Sequence, residues 1–202
     1  MQRNIIAISG GGFSKNEGDY IDEYIIQQVK KDSPVHICFI PTASGDAQGY
    51  IEKFYQAFPN ANTSHLTVND LTDSNIQEIV HEQDILYVGG GNTQLMLEKW
   101  RQTRFDKVLK EAYANGVLLA GISAGAMCWF EICYSEKTDD TYEEFEGLGI
   151  LEGSLCPHYN DEKRQSLFDK WATKQLDRTI FTLEDNENLH FRNEKCIAKI
   201  ST

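Results

Sequence analysis

Several things are scarce in this sequence, and each scarcity closes off a class of protein. Four prolines in 202 residues, with no low-complexity tract and no linker, leave no basis for a fibrous or disordered chain. No apolar run approaches the roughly 20 residues a spanning helix requires, and Ile5–Ile8 is too short for a signal-peptide core. A soluble, cytoplasmic protein without a membrane partner is expected. Basic residues are outnumbered, 19 against 31 acidic, so the formal net charge of −12 repels phosphate backbones and makes nucleic acid a poor partner. The five cysteines, Cys38, Cys128, Cys133, Cys156 and Cys196, form no C-x-x-C pair; reduced thiols are expected, with no disulfide frame and no metal site. Neither G-x-x-x-x-G-K-[ST] nor G-x-G-x-x-G occurs, which counts against a nucleotide cofactor.

What is present is a regular alternation. Short apolar runs at Ile5–Ser9, Val35–Ile40, Ile85–Val88, Val117–Ala120 and Thr179–Leu183 read as buried strands. Between them, Tyr20–Lys31, Tyr50–Ala57, Asn75–His81, Thr93–Arg101 and Phe105–Asn115 repeat apolar residues every three or four positions, as amphipathic helices do. Strands alternating with helices require crossovers. The expected architecture is therefore a three-layer α/β fold, a mostly parallel central sheet with helices on both faces, in one domain over residues 1–202. Gly116 sits where a left-handed helix cap would precede the Val117 strand, and Leu189–Ile200 reads as a terminal hairpin.

The sharpest chemical signal is Gly121-Ile122-Ser123-Ala124-Gly125, a G-x-S-x-G after a buried strand and before a helix-compatible run, Ala124–Ile132. A serine on such a bend is held out over the sheet edge, while the following helix turns its first amides toward developing negative charge. Ser alone also caps ordinary helices, so the flanking context carries the assignment. A second turn, Gly89-Gly90-Gly91-Asn92-Thr93, closes the Ile85–Val88 strand; in a parallel sheet it opens onto the same crevice. Amides of Gly90, Gly91 and Ala124 are the expected oxyanion donors, and Asn92 and Thr93 are expected to face substrate. Serine needs a base, and of five histidines only His158, in Pro157-His158-Tyr159, stands in a loop at an element junction.

Phe39-Ile40-Pro41-Thr42-Ala43-Ser44, Val88–Thr93, Gly121–Ala126 and Pro157-His158-Tyr159 occur in an order and spacing that resembles the dipeptidase E and cyanophycinase family of serine peptidases. The resemblance spans nearly the whole chain. It implies a fold like that of class I glutamine amidotransferases, with Ser123 as nucleophile, His158 as base and an acidic residue between them in the chain. Gap-free spacing from Ser123 puts Glu136 at the acid's place, and Asp139 or Asp140 takes it if the loop carries an insertion. The family also implies an arginine that recognises an aspartyl side chain, for which Arg164 is the match. Small peptides are the implied partners, no cofactor is needed, and a homodimer remains open. The alternatives are an esterase of the α/β-hydrolase type, disfavoured by the short stretch between serine and histidine, and a non-catalytic module on the same scaffold.

Overall fold

The computed structural model describes residues 2–15, 20–138 and 141–201. In the first half of the chain β1 (Asn4–Ile8), α1 (Tyr20–Gln27), β2 (His36–Ile40), α2 (Gln48–Ala57), β3 (Asn62–His65), α3 (Ile76–His81) and β4 (Ile85–Val88) alternate. Two helices, α4 (Thr93–Thr103) and α5 (Phe105–Ala114), lead into β5 (Leu118–Ile122) and the short α6 (Ala124–Met127). The remainder comprises β6 (Ile132–Thr138), β7 (Thr141–Glu146), β8 (Ser154–Cys156), α7 (Glu162–Ala172), β9 (Ile180–Thr182), β10 (Glu187–Arg192) and β11 (Lys195–Ser201).

Seven strands form the central sheet in the order β11-β10-β1-β5-β4-β2-β3. The strands from β1 to β3 pair in parallel, and β10 and β11 add an antiparallel margin beside β1. Every residue of β1, β4 and β5 is buried, as continuous apolar strands covered on both faces must be. Alternation then divides the core. Ile5, Ala7, Leu86, Val88 and Leu119 pack with Trp100, Phe105 and Leu109 of α4 and α5, while Ile6, Ile8, Tyr87 and Ile122 pack with Ile21 and Ile25 of α1 and Phe54 of α2. A smaller third cluster, centred on Cys156, Phe168 and Trp171, lies outside the sheet with Tyr134 and Tyr159 against it.

The cap expected at Gly116 is there: φ is +89°, the Gly116 amide donates to Tyr113 and the Val117 amide to Ala112, the paired bonds of a Schellman motif. Three local readings differ from the sequence expectation. The helix after Ser123 stops at Met127, and Ile132–Thr138 turns instead into a strand pairing antiparallel with Thr141–Glu146. The Thr179–Leu183 run yields β9, which pairs with β8 rather than joining the central sheet. The edge strand β3 is half-exposed Asn62-Thr63-Ser64-His65, too polar to read as a strand from apolar content.

Candidate active site

Loops at the carboxyl ends of β1, β4 and β5 meet around Ser123. Its amide still donates to Ile8 of β1 at 2.9 Å, but its own φ and ψ are 53° and −106°, a conformation an L residue holds only where surroundings impose it. The glycines on either side of it are packed too closely for any side chain. A Cβ on Gly121 would stand 2.1 Å from the Gly125 carbonyl oxygen, and one on Gly125 would stand 2.4 Å from the Val88 carbonyl oxygen. Both glycines of the motif are thus required by close backbone approach, and the bend they allow leaves the Ser123 side chain half-buried at the sheet edge.

The Ser123 hydroxyl meets His158 Nε2 at 2.9 Å. On the far side of the ring, His158 Nδ1 makes a short hydrogen bond to Asp185 Oδ1. Asp185 lies in the loop between β9 and β10 and was not among the expected site residues. Its backbone amide donates to Asn160 Oδ1 at 3.1 Å, Asn160 Nδ2 donates to Asp185 Oδ2 at 3.3 Å, and Lys15 Nζ stands 3.8 Å from that same oxygen. Partial burial opposes ionisation of Asp185, but the His158 and Asn160 hydrogen bonds and the charges of His158 and Lys15 outweigh it, holding the carboxyl below its ordinary range.

Glu136, the expected acid, does not meet the imidazole. It sits on β6 opposite Tyr142 of β7, so the hairpin that replaces the expected loop turns it toward α7. There its Oε1 accepts from Arg164 Nη2 at 2.6 Å and from the Tyr142 hydroxyl at 2.7 Å, and its Oε2 accepts from Ser135 at 2.9 Å. Burial raises its pKa, but these donors and the Arg164 charge leave it lowered overall. Asp139 and Asp140 lie outside the described residues. The carboxylate facing His158 therefore follows the histidine in the chain instead of preceding it.

Arg164 occupies the first turn of α7. Asp161 caps that helix by accepting from the Arg164 amide at 2.8 Å, and the Asp161 amide donates to the His158 carbonyl at 2.9 Å, so α7 springs directly from the histidine loop. The Arg164 side chain is only 12% exposed, its guanidinium lies 5.8 Å from the Tyr142 ring centroid, and its charge is felt at Cys156, two residues before His158. Desolvation nonetheless pushes the Cys156 thiol up to about 12.

The amides expected to hold an oxyanion fare differently. Ala124 opens α6, where Ser123 provides no side-chain cap, leaving the first amides of the turn to other acceptors. Gly91 is exposed, at φ +139°, with its backbone pressed against Ala43. The Gly90 amide donates to the Tyr50 hydroxyl at 3.3 Å, and burial pushes that phenol up to about 12. Asn92 caps α4 by accepting from the Leu95 amide at 2.9 Å, which accounts for its side-chain oxygen, and Thr93 is buried in the first turn. Among the described residues no group of three or more His, Cys, Asp or Glu is placed to hold a metal ion, and no helix is long and apolar enough to cross a membrane.

Comparison with known proteins gives a consistent picture. Residues 5–199 match the profile of Peptidase family S51. The uncharacterized peptidase YgaJ of Bacillus subtilis is 40% identical over 204 residues, covering 99% of this chain and 88% of the relative. A Pasteurella multocida protein named Peptidase E is 24% identical, over 79% of this chain and 72% of its own length. Among solved structures, a Listeria monocytogenes protein described as a candidate peptidase E superposes with a TM-score of 0.74 over the full length of both chains at 23% identity, which supports the α/β fold.

Proposed function

The chain belongs to peptidase family S51 and is a serine-type peptidase, and from that premise we propose that it is a dipeptidase working through Ser123, His158 and Asp185, with preference for an N-terminal Asp. The observation that carries this reading is the continuous chain of contacts from the Ser123 hydroxyl through both ring nitrogens of His158 to Asp185.

In this scheme His158 Nε2 takes the hydroxyl proton as Ser123 Oγ attacks the scissile carbonyl. Asp185 keeps the other ring proton on Nδ1, fixing the tautomer, and stabilises the imidazolium that results. The tetrahedral oxyanion rests on the Ala124 amide and that of Gly91, since the Gly90 amide is engaged by Tyr50. His158 then returns the proton to the leaving amine, an acyl-Ser123 remains, and a water deprotonated by His158 releases it. The whole of residues 1–202 acts as one peptidase domain in this reading, with no metal or organic cofactor in any step.

Arg164 is the proposed side-chain selector. Its guanidinium offers five N–H donors, one of which Glu136 takes, and its helix α7 follows directly on the loop that carries His158. An Asp side chain at the substrate's N-terminal residue would share that fork. The test is His158→Ala with a panel of dipeptides and a fluorophosphonate probe. Turnover should fall about 10⁴-fold while the fold is retained. Retention of activity within tenfold would remove His158 from the scheme, and a parent protein whose Ser123 resists the probe would remove the scheme itself.

A further inference from the structure

Two loops supply the imidazole and the carboxylate, and neither is regular structure. Their relative placement must come from somewhere. His158 itself carries φ +54°, unfavourable for any residue with a side chain, so its loop is held in place by contacts and not by local preference.

Those contacts converge on Ser9, the residue after β1. Its hydroxyl is fully buried, accepts from the His158 amide at 2.7 Å and donates to the Leu183 carbonyl at 3.0 Å. Leu183 stands two residues before Asp185, and the same carbonyl accepts from the Tyr159 amide at 2.9 Å. The Ser9 amide in turn donates to Glu187, two residues beyond Asp185, at 3.3 Å. One side-chain oxygen thus ties the histidine loop to the aspartate loop, and the main chain of the same residue fastens the pair to the central sheet. The adjoining Gly10 completes the seat: a Cβ there would lie 2.7 Å from Asp185 Oδ1 and 3.3 Å from His158 Cε1, so any larger residue would displace the carboxylate from the point where the two side chains meet.

We propose that Ser9 is a positioning residue that sets the distance and angle between the His158 ring and the Asp185 carboxylate, with Gly10 keeping the space between them open. The proposal rests on the assignment of Ser123, His158 and Asp185 as the working site. Ser9 touches no substrate in it, so its removal acts on turnover. Without the hydroxyl, the His158 amide loses its acceptor and the strained loop is free to relax. Misplacement by about 1 Å costs roughly 100-fold in rate when it falls on a catalytic constellation.

The experiment compares Ser9→Ala, Ser9→Thr and Gly10→Ala with the parent in three measurements: kcat and KM on a dipeptide, the rate of fluorophosphonate labelling of Ser123, and the proton resonance of His158 Nδ1–H. Ser9→Ala should lower kcat and the labelling rate by about 10- to 100-fold with KM within about twofold, and should shift or broaden the Nδ1–H resonance. Ser9→Thr, which keeps the hydroxyl, should recover most of the loss. Gly10→Ala keeps the hydroxyl but intrudes on Asp185, and should reproduce the loss in kcat even if Ser9→Ala does not fold. A Ser9→Ala protein with parental labelling rate and an unmoved resonance overturns the proposal, as does a Ser9→Thr protein as slow as Ser9→Ala. If the parent cleaves no dipeptide, the functional reading fails, yet the resonance still decides whether Ser9 positions the ring.

Discussion

Glu136 and Asp185 are both carboxylates placed beside a cation, one on the β6–β7 hairpin and the other in the loop between β9 and β10, and both titrate below their ordinary range. Their partners set them apart. Glu136 has its oxygens taken by an arginine, a tyrosine and a serine. Asp185 faces a histidine whose other nitrogen is at hydrogen-bond distance from a hydroxyl on a strained turn. A low carboxylate pKa is thus no guide to catalytic work; the next atom along the chain of contacts is.

The largest effect that would break this contrast concerns the two acids directly. Asp185→Asn removes the carboxylate that meets His158 Nδ1 and, on the proposed mechanism, should reduce kcat by about 10³- to 10⁴-fold with little change in KM. Glu136→Gln should cost no more than about tenfold on a neutral dipeptide. Steady-state kinetics on both variants, with circular dichroism to confirm folding, decide the matter. The reverse ranking would return the orienting role to the hairpin.

The difference between the two carboxylates also shows what the sequence could and could not disclose. The bend at Ser123 was legible because its signal is local: the two glycines that permit it and the strand and helix that flank it are contiguous, and the structure adds the carbonyls of Gly125 and Val88 that make those glycines necessary. His158 was legible as a loop residue between elements. Asp185 was not, because it reaches His158 only after β10 inserts antiparallel beside β1, a sheet-margin pairing that brings the end of β9 over Ser9 and Gly10. The sequence does carry one signal for it: Asp185 stands just past the apolar run Thr179–Leu183, where a strand's carboxyl end delivers functional groups to the crevice. Gap-free spacing points to Glu136 only if the segment is a loop, whereas Tyr134-Ser135-Glu136 pairs with Tyr142-Glu143-Glu144 and has a strand's alternation. Charge density hid that alternation, for an acidic run with few apolar residues reads as solvated. The parallel framework of β1, β2, β4 and β5 was readable because those strands are continuous apolar runs, whereas the polar edge strand β3 was not.

A middle-sized effect tests whether the hairpin side serves recognition, as proposed. Cleavage of Asp-X should exceed that of Asn-X, nearly identical in shape, by about ten- to a hundred-fold in kcat/KM, the value of a charge-assisted hydrogen-bond pair. The chain's net charge of −12 works against anionic substrates, so a local cation must supply the preference. Arg164→Met should abolish the ratio through its effect on Asp-X. Equal cleavage of the two peptides by the parent would leave Arg164 as the structural partner of Glu136 and Tyr142 alone.

The smallest effect separates holding the aspartate in place from holding it ionised. Lys15 Nζ stands 3.8 Å from Asp185 Oδ2, with the two side chains 48% and 36% exposed, whereas Arg164, at 12% exposure, meets Glu136 at 2.6 Å. An ion pair that open to solvent is worth no more than about 1 kcal/mol, so Lys15→Gln should lower kcat/KM by at most about fivefold. The sign on pH follows from the lowered pKa of Asp185: its carboxylate is lost as pH falls through that value, and removing a cation that helps depress it moves the loss to higher pH. The acid limb of the rate profile should therefore shift upward slightly in Lys15→Gln. Salt provides the control, because at 1 M the screening length shrinks to about 3 Å and parent and variant should converge. Rate profiles at about 0.02 M and 1 M salt measure both effects. A loss near that of Asp185→Asn, persisting at high salt, would mean that Lys15 is part of the geometry around His158 and not a screened charge beside it.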